Sequence, residues 1–119
     1  MSLAELILQI QNNPELVDFN SVISTIDSEY QYTPSKFTNG VGQDVVINES
    51  STNEGSCKIF AFAQLNNLTK QQALACFGKY YREDVLKNPE GTDHANIRTL
   101  IKYDLNDIKF DNNVLIKKN

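Results

Sequence analysis

The stretch Asn53-Glu54-Gly55-Ser56-Cys57-Lys58-Ile59-Phe60-Ala61-Phe62-Ala63 decides the fold of this chain. Its last seven residues are apolar except for Lys58, and a short apolar run is compatible with a buried strand or a buried helix. The two alanines disfavour a strand, Gly55-Ser56 offers a helix start, and Asn66-Asn67 offers a stop. We therefore expect a central helix over about residues 57–66.

This helix is expected to be the axis of the core. Apolar side chains surround most of its circumference, which a helix sustains only when neighbours cover it on several sides. These side chains are Ile59, Phe60, Ala61, Phe62, Ala63 and Leu65. Cys57 falls in the first turn, where unpaired N–H groups and the positive end of the helix dipole favour a thiolate. The central helix is therefore also a candidate site of thiol chemistry.

Composition indicates one soluble domain spanning residues 1–119. Hydrophobic residues make up 40% of the chain and charged residues 22%, as in an ordinary soluble globular protein, so neither disorder nor a membrane span is indicated. The net charge of -4 disfavours binding to nucleic acid, because neutralising phosphates needs clustered lysine and arginine. No signal peptide or membrane span is recognisable, so the simplest address is the cytoplasm. The two cysteines, Cys57 and Cys76, are expected to be free thiols there.

Two helices are expected before the central one. Ser2 and Glu5 have the spacing of a capping box, which predicts a first helix to about Gln11. Asp18 is the expected cap of a second helix. The apolar residues of this second helix recur at helical spacing, at Phe19, Val22, Ile23, Ile26 and Tyr30.

A β segment is expected on either side of the helical middle of the chain. Asn39-Gly40 is a strong tight-turn dipeptide, and Val45-Val46-Ile47 is β-branched throughout. Residues 105–116 are typical of a terminal hairpin or of one strand that joins the earlier segment. We therefore expect a small antiparallel sheet built from about residues 32–47 and 108–116.

Two further helices are expected after the central one. Thr69 and Gln72 repeat the capping-box spacing and predict a helix over residues 70–81, in which Cys76 is a small core residue. Gly78 inside that pattern implies a close contact or an early helix end. Thr92 or Asp93 is the expected cap of the last helix, which runs to about residue 102. The fold class is therefore α+β, with four or five helices around the central one.

Four segments have sequences similar to those of a known family. They are residues 37–40, 53–63, 74–82 and 88–98, and in this order and spacing they resemble the HopJ type III effector family over roughly residues 30–111. The resemblance implies a bacterial single-domain protein, with members named as effectors that type III secretion systems of plant pathogens deliver into host cells. It therefore implies a protein partner in the host, and no established biochemical activity.

A second likeness concerns the start of the central helix. Gly55-Ser56-Cys57 is similar to the nucleophile segment of papain-like cysteine proteases, in which a histidine and then an asparagine follow along the chain. Here these residues would be His94 and Asn96, or Asp93 would orient His94. The chain is much shorter than those enzymes, and its asparagine follows the histidine by only two residues. The alternative is a buried Cys57 beside a capping Ser56, the more common role of such residues.

Two functional hypotheses follow from these observations. The first is a non-enzymatic binding module, whose surface gathers two helix N-termini that favour anions. The residues expected at this surface are Asn53, Glu54, Ser56, Glu90, Thr92 and Arg98. Arg98 either clamps an anion there or pairs with Asp93 or Glu90. The second hypothesis is a thiol-dependent hydrolase that uses Cys57 and His94.

Features that the sequence lacks limit the other partners that we expect. His94 is the only histidine, and no spacing typical of metal ligands accompanies it, so neither a metal site nor a cofactor is expected. A membrane partner is not expected either. The expected state in solution is a monomer or a small homo-oligomer.

Overall fold

Two helices, three short strands, three further helices and two terminal strands follow one another in the computed structural model, which describes residues 1–118. Within that part of the chain there are five α-helices: α1 (Leu3–Asn12), α2 (Phe19–Glu29), α3 (Glu54–Leu65), α4 (Lys70–Ala75) and α5 (Ala95–Lys102). A π-helical segment, Tyr80–Val85, lies between α4 and α5. The strands are β1 (Tyr30–Tyr32), β2 (Phe37–Asn39), β3 (Val46–Asn48), β4 (Lys109–Phe110) and β5 (Leu115–Lys117). The expected α+β class is confirmed.

Helix α3 is the axis of the core, as its sequence predicts. Cys57 and all five residues 59–63 are buried, and α2, α4 and β5 contact the helix. Leu65 is 55% exposed, so the expectation that it completes the buried surface is wrong. The helix also begins three residues earlier than expected, because Asn53 takes left-handed backbone angles and redirects the chain there.

Three of the five expected helix caps are present. Ser56, the expected cap of α3, lies inside that helix instead, because the helix begins at Glu54 after its N-cap Asn53. Ser2 with Glu5 and Thr69 with Gln72 both form complete capping boxes, in which each side chain bonds the other residue's backbone N–H. The Asp18 carboxylate accepts from the backbone N–H of Ser21 and caps α2. Local hydrogen bonds of this kind depend only on residues three apart, which is why the sequence reveals them.

The cap of α5 also differs from the prediction. Helix α5 begins at Ala95, and His94 is its N-cap in a left-handed conformation with φ of 53°. Neither Thr92 nor Asp93 caps the helix. The reason is that Arg98 takes both polar groups of Asp93: its Nε donates to the carbonyl at 2.6 Å and its Nη2 to the carboxylate at 2.7 Å.

Helix α4 ends at Ala75, six residues before the predicted end. Gly78 has a φ of 59°, which glycine adopts without steric cost and which ends the helical run. A Cβ at Gly78 would lie 2.9 Å from the backbone nitrogen of Phe19. Both consequences that the sequence attached to this glycine, an early helix end and a close contact, are confirmed. Cys76 is fully buried, as expected of a small core residue.

The strands form two antiparallel sheets instead of the one expected. Strand β2 pairs with β3 on one side and with β4 on the other, while β1 pairs with β5. Pro34, between β1 and β2, has no N–H to continue a ladder. The Ser35 hydroxyl accepts instead from the N–H groups of Asp111 and Asn112. This bend separates the sheets, so the terminal segment contributes one strand to each.

Candidate functional site

A cleft of about 350 Å³ lies where α3 and α5 begin, and we call it the helix-start cleft. It brings together residues 53–56 and the start of α5, the two segments in which the sequence places a binding surface. Apolar side chains make up much of its wall and polar groups the rest. Its lining residues are Phe19, Val46, Asn53, Gly55, Ser56, Phe77, Tyr80, His94, Ala95, Asn96 and Ile97.

Both helices at this cleft begin without a side-chain cap. Their N-cap residues, Asn53 and His94, share the left-handed conformation, and neither side chain bonds the first turn. The first helical hydrogen bonds run from Cys57 N to Asn53 O and from Arg98 N to His94 O. Within residues 1–118, the N–H groups at positions 54–56 and 95–97 therefore have no acceptor. Such groups are satisfied by water or by an acceptor on a ligand.

Aromatic rings form one wall of the helix-start cleft. The centroid of Phe19 lies 6.4 Å from that of Phe77 and 5.0 Å from that of Tyr80. Tyr80 in turn lies 5.2 Å from the His94 ring, with 34° between their planes. Gly55 faces this wall closely, because a Cβ there would lie 2.9 Å from Cζ of Phe19. A ring-bearing ligand would find complementary surface here.

His94 is held at the cleft by a carboxylate that the sequence did not indicate. Its Nε2 lies 3.0 Å from Oδ2 of Asp84, in the π-helical segment, and 3.8 Å from Oδ2 of Asp93. Asp84 is therefore the closer partner, although Asp93 was the expected orienting residue. Ten residues separate Asp84 from His94, and only the turn between the π-helical segment and α5 brings them together, so no local pattern predicts the pair.

Arg98 stabilises the turn before α5 and is not free to bind an anion. Beyond Asp93, its Nη1 donates to the Asn88 carbonyl at 2.8 Å. Two roles were considered for Arg98, and the structure shows the second of them, the pairing with Asp93. Glu90 and Thr92 are exposed in the same turn and do not line the cleft. Glu54 accepts from the Tyr32 hydroxyl at 3.0 Å and also lies outside the lining.

Buried asparagines join the cleft to the sheet. Asn96 and Asn48 bond each other reciprocally, with N···O distances of 2.9 and 3.2 Å. Asn39 donates to the Asn96 carbonyl at 2.9 Å, and Asn53 donates to the Asn48 side chain at 2.6 Å. Asn96 was expected as a catalytic partner of His94, but its amide faces other amides. Asn39 and Asn48 were not predicted at the site, because they are far apart in sequence from Asn96 and share no recognisable spacing with it.

Cys57 does not line the helix-start cleft. It is 1% exposed, and its sulfur lies 4.0 Å from the Ser35 carbonyl oxygen. Burial raises the pKa of the Cys57 thiol and thus opposes the thiolate that the helix start favours. Burial also raises the pKa of Cys76, to about 12. The hydrogen-bond partners of Cys57 and His94 differ, and the hydrolase hypothesis gains no support.

Two further features are absent from the described residues. Residues 1–118 contain no group of three or more histidine, cysteine, aspartate or glutamate side chains placed to hold a metal ion. None of the helices in that range is both long enough and apolar enough to cross a membrane.

Comparisons with known proteins agree with the resemblance seen in the sequence. The family model described as HopJ type III effector protein matches residues 3–115, nearly the whole chain. A solved structure titled "Crystal structure of unknown function protein VPA0580" is 42% identical and has a TM-score of 0.93. That match covers 99% of this chain and 95% of the other. No curated protein matches the chain. The chain thus belongs to the family of the HopJ type III effector protein.

Proposed function

We propose that this HopJ-family chain is a non-enzymatic binding module that receives a small ligand in the helix-start cleft. One observation carries the proposal: two helices expose their uncapped first turns to the same cleft. Its volume of about 350 Å³ falls within the range of small-molecule sites. Asn53 and Ser56 remain in the proposed site, joined by Tyr80, His94 and Asn96.

The family's description supports a setting for this binding. A type III effector protein acts after delivery into another cell, so we propose that the ligand is a molecule of a host cell. The chain would be made in the bacterial cytoplasm and then secreted. A host protein that presents such a group to the cleft is the corresponding partner.

The binding proposal is tested by nuclear magnetic resonance. The labelled protein is titrated with small neutral, cationic and anionic ring compounds while its backbone amide signals are followed. Binding is expected to shift the amides of residues 55–56 and 95–97, because these residues line the cleft and their N–H groups have no acceptor within residues 1–118. The proposal fails if no compound of any class shifts them in the millimolar range.

A matched pair of variants locates the binding. Ala95 is an exposed lining residue at the first position of α5, so Ala95→Trp is expected to obstruct the cleft without disturbing the core. Ala4→Trp places the same side chain in the exposed first turn of α1, outside the cleft lining. Loss of binding in the first variant and retention in the second support the site, whereas equal binding in both contradicts it.

A further inference from the structure

Strand β3 is an open edge of the three-stranded sheet. It pairs with β2 on one side, and no other strand among residues 1–118 pairs with its second side. The exposed side chains at this edge are apolar, since Val45, just before β3, is 37% exposed and Ile47 is 58% exposed. They lie two residues apart on extended chain and therefore project from the same face. An open strand of this kind is a template for pairing with another extended chain.

The other edge strands carry features that discourage such pairing. Lysine on an edge strand and proline beside it are two of the usual ones. Strand β4 contains Lys109, β5 contains Lys117, and β1 is followed by Pro34. Neither lysine nor proline occurs in β3, in residues 42–45 before it or in residues 49–52 after it. Of the edges in the described part of the chain, β3 is therefore the one most accessible to a partner strand.

The main chain of Ile47 faces away from β2. Asp111 N bonds the Lys36 carbonyl at 3.1 Å, so the backbone groups of Lys36 point toward β4. Consecutive residues of a strand direct these groups to alternate sides, so those of Phe37 point toward β3, where Asn48 is the partner. By the same alternation, the N–H and C=O of Ile47 point to the open edge. A chain laid along this edge can exchange two backbone hydrogen bonds with Ile47.

Glu49 determines the charge that suits a partner strand. It is exposed and forms no ion pair within residues 1–118, and it follows Ile47 by two residues, on the same face. An antiparallel partner places its residues opposite Glu49, Ile47 and Val45 in that order. A second copy of this chain centred on Ile47 would put Val45 opposite Glu49 and leave the carboxylate without a positive charge. Charge complementarity therefore favours a different protein with a basic residue at this position.

From these observations we infer that β3 is a docking edge for an extended segment of a partner protein, which adds a fourth strand to the sheet. In this segment a basic residue is followed two and four residues later by apolar residues. The basic residue faces Glu49, and the apolar residues face Ile47 and Val45. Backbone bonds to Ile47 supply affinity, and the three side-chain positions supply selectivity. The inference goes beyond the proposed function, because it needs no ligand in the helix-start cleft.

Short peptides with blocked ends test the strand pairing. The probe is Thr-Lys-Thr-Ile-Thr-Val-Thr, and two variants of it carry one backbone N-methyl group each. Methylation of the central isoleucine removes the N–H that faces the Ile47 carbonyl, whereas methylation of the threonine after it changes an N–H that faces solvent. The first should weaken binding at least about tenfold, and the second should change it less than about twofold. The amide signals of Ile47 and Glu49 report binding in titrations to roughly millimolar peptide.

A charge exchange tests the position opposite Glu49. Glutamate in place of the peptide's lysine should weaken binding about fivefold, because two carboxylates then face each other across the strands. Glu49→Lys, at an exposed position, should reverse the preference, so that the glutamate peptide binds the variant more tightly than the lysine peptide does.

A matched pair of variants locates the docking edge. Ile47→Lys removes the apolar contact and places a second positive charge beside the peptide's lysine, so binding should fall about tenfold. Ile116→Lys makes the same change in β5, where Ile116 is 54% exposed, and should bind the peptide as the unchanged protein does. Both variants are expected to stay folded, because neither side chain is part of the core.

Each outcome supports or overturns the inference. If the two methylated peptides bind equally, if Ile47→Lys binds normally, or if the unmodified peptide does not bind, β3 is not a docking edge for such a segment. If the Ile47 and Glu49 signals shift with protein concentration alone, the occupant is a second copy and the assignment to a partner protein is wrong. These signals are distinct from those of residues 55–56 and 95–97, so the proposed cleft function is decided separately.

Discussion

Ser56 and Cys57 are neighbours in the first turn of α3, but their side chains have different surroundings. Ser56 is half-buried and lines the helix-start cleft, whereas Cys57 is 1% exposed and contacts the Ser35 carbonyl. Successive residues point about 100° apart around a helix, so adjacency in a motif does not place two side chains in one site. Cys57, which has the more reactive side chain, is thus on the buried side of α3. On the accessible side, the groups available to a ligand are mainly backbone N–H groups.

Replacing each of these two residues with aspartate should have the largest effect of the changes considered. Cys57→Asp is expected to lower the free energy of unfolding by at least about 3 kcal/mol, because it buries a carboxylate without a partner. Ser56→Asp is expected to raise it by about 0.3–1 kcal/mol through the helix dipole. Urea unfolding of both variants measures the two values. Similar losses in the two variants would contradict the assignment of buried and accessible sides.

The structure around the helix-start cleft should depend on the buried asparagine side chains beside it. Asn96→Ala removes the partner of Asn39 and Asn48, and should lower the free energy of unfolding by about 2–3 kcal/mol because their buried polar groups lose hydrogen bonds. Asn20→Ala, at an exposed position of α2, is the matched control and should change it by less than about 0.5 kcal/mol. Urea unfolding is again the measurement. A loss no greater than that of the control would show that the amides do not support the cleft.

Alkylation separates the buried thiol from a catalytic one. Iodoacetamide should label Cys57 slowly in the folded protein, with a rate that rises only at pH values above the ordinary thiol pKa, since burial raises the pKa of Cys57. His94→Ala should leave the labelling rate unchanged, because Cys57 bonds the Ser35 carbonyl while His94 bonds Asp84. Mass spectrometry of the two cysteine peptides measures both rates. Fast labelling of Cys57 at neutral pH that His94→Ala slows would restore the hydrolase hypothesis.

The smallest expected effect concerns the turn before α5. The Arg98 guanidinium bonds Asp93 and lowers its pKa below the ordinary value of 3.8. A lowered pKa in the folded state stabilises the fold at pH values above 3.8, and this contribution is lost as the pH falls through the lower value. Asp93→Asn should therefore reduce the melting temperature slightly at pH 7, and the difference should shrink in acid. Asp111→Asn, at an exposed position without an ion pair among residues 1–118, should show no such trend.

The parts of the fold that the sequence predicts correctly depend on local interactions. The capping boxes of α1 and α4, the Asp18 cap and the apolar run of α3 involve residues within one or two helical turns. The same reasoning failed for the cap of α5. There, Arg98 takes both polar groups of Asp93, and this competition is not visible in a pattern that considers only the cap and the residues after it.

The parts that the sequence does not predict depend on contacts between distant residues. The two segments of the helix-start cleft were predicted, since each has the features of a helix start, but Tyr80 and Phe19 were not assigned to it. The Asn48–Asn96 pair joins residues 48 positions apart, and Asp84 reaches His94 only because Gly78 ends α4 and the chain then turns. No periodicity connects such residues.

Arg98 holds the turn between residues 84 and 93 mainly through main-chain atoms, the carbonyl oxygens of Asn88 and Asp93. Main-chain carbonyls are present whatever the side chains are. The exposed positions Lys87, Pro89 and Glu90 could therefore accumulate substitutions while the path of this loop persists, and variation there would alter what the loop presents to a partner without moving His94. Lysine in place of Arg98 could not reproduce this, because one ammonium group cannot reach several separated acceptors in the way a planar guanidinium does.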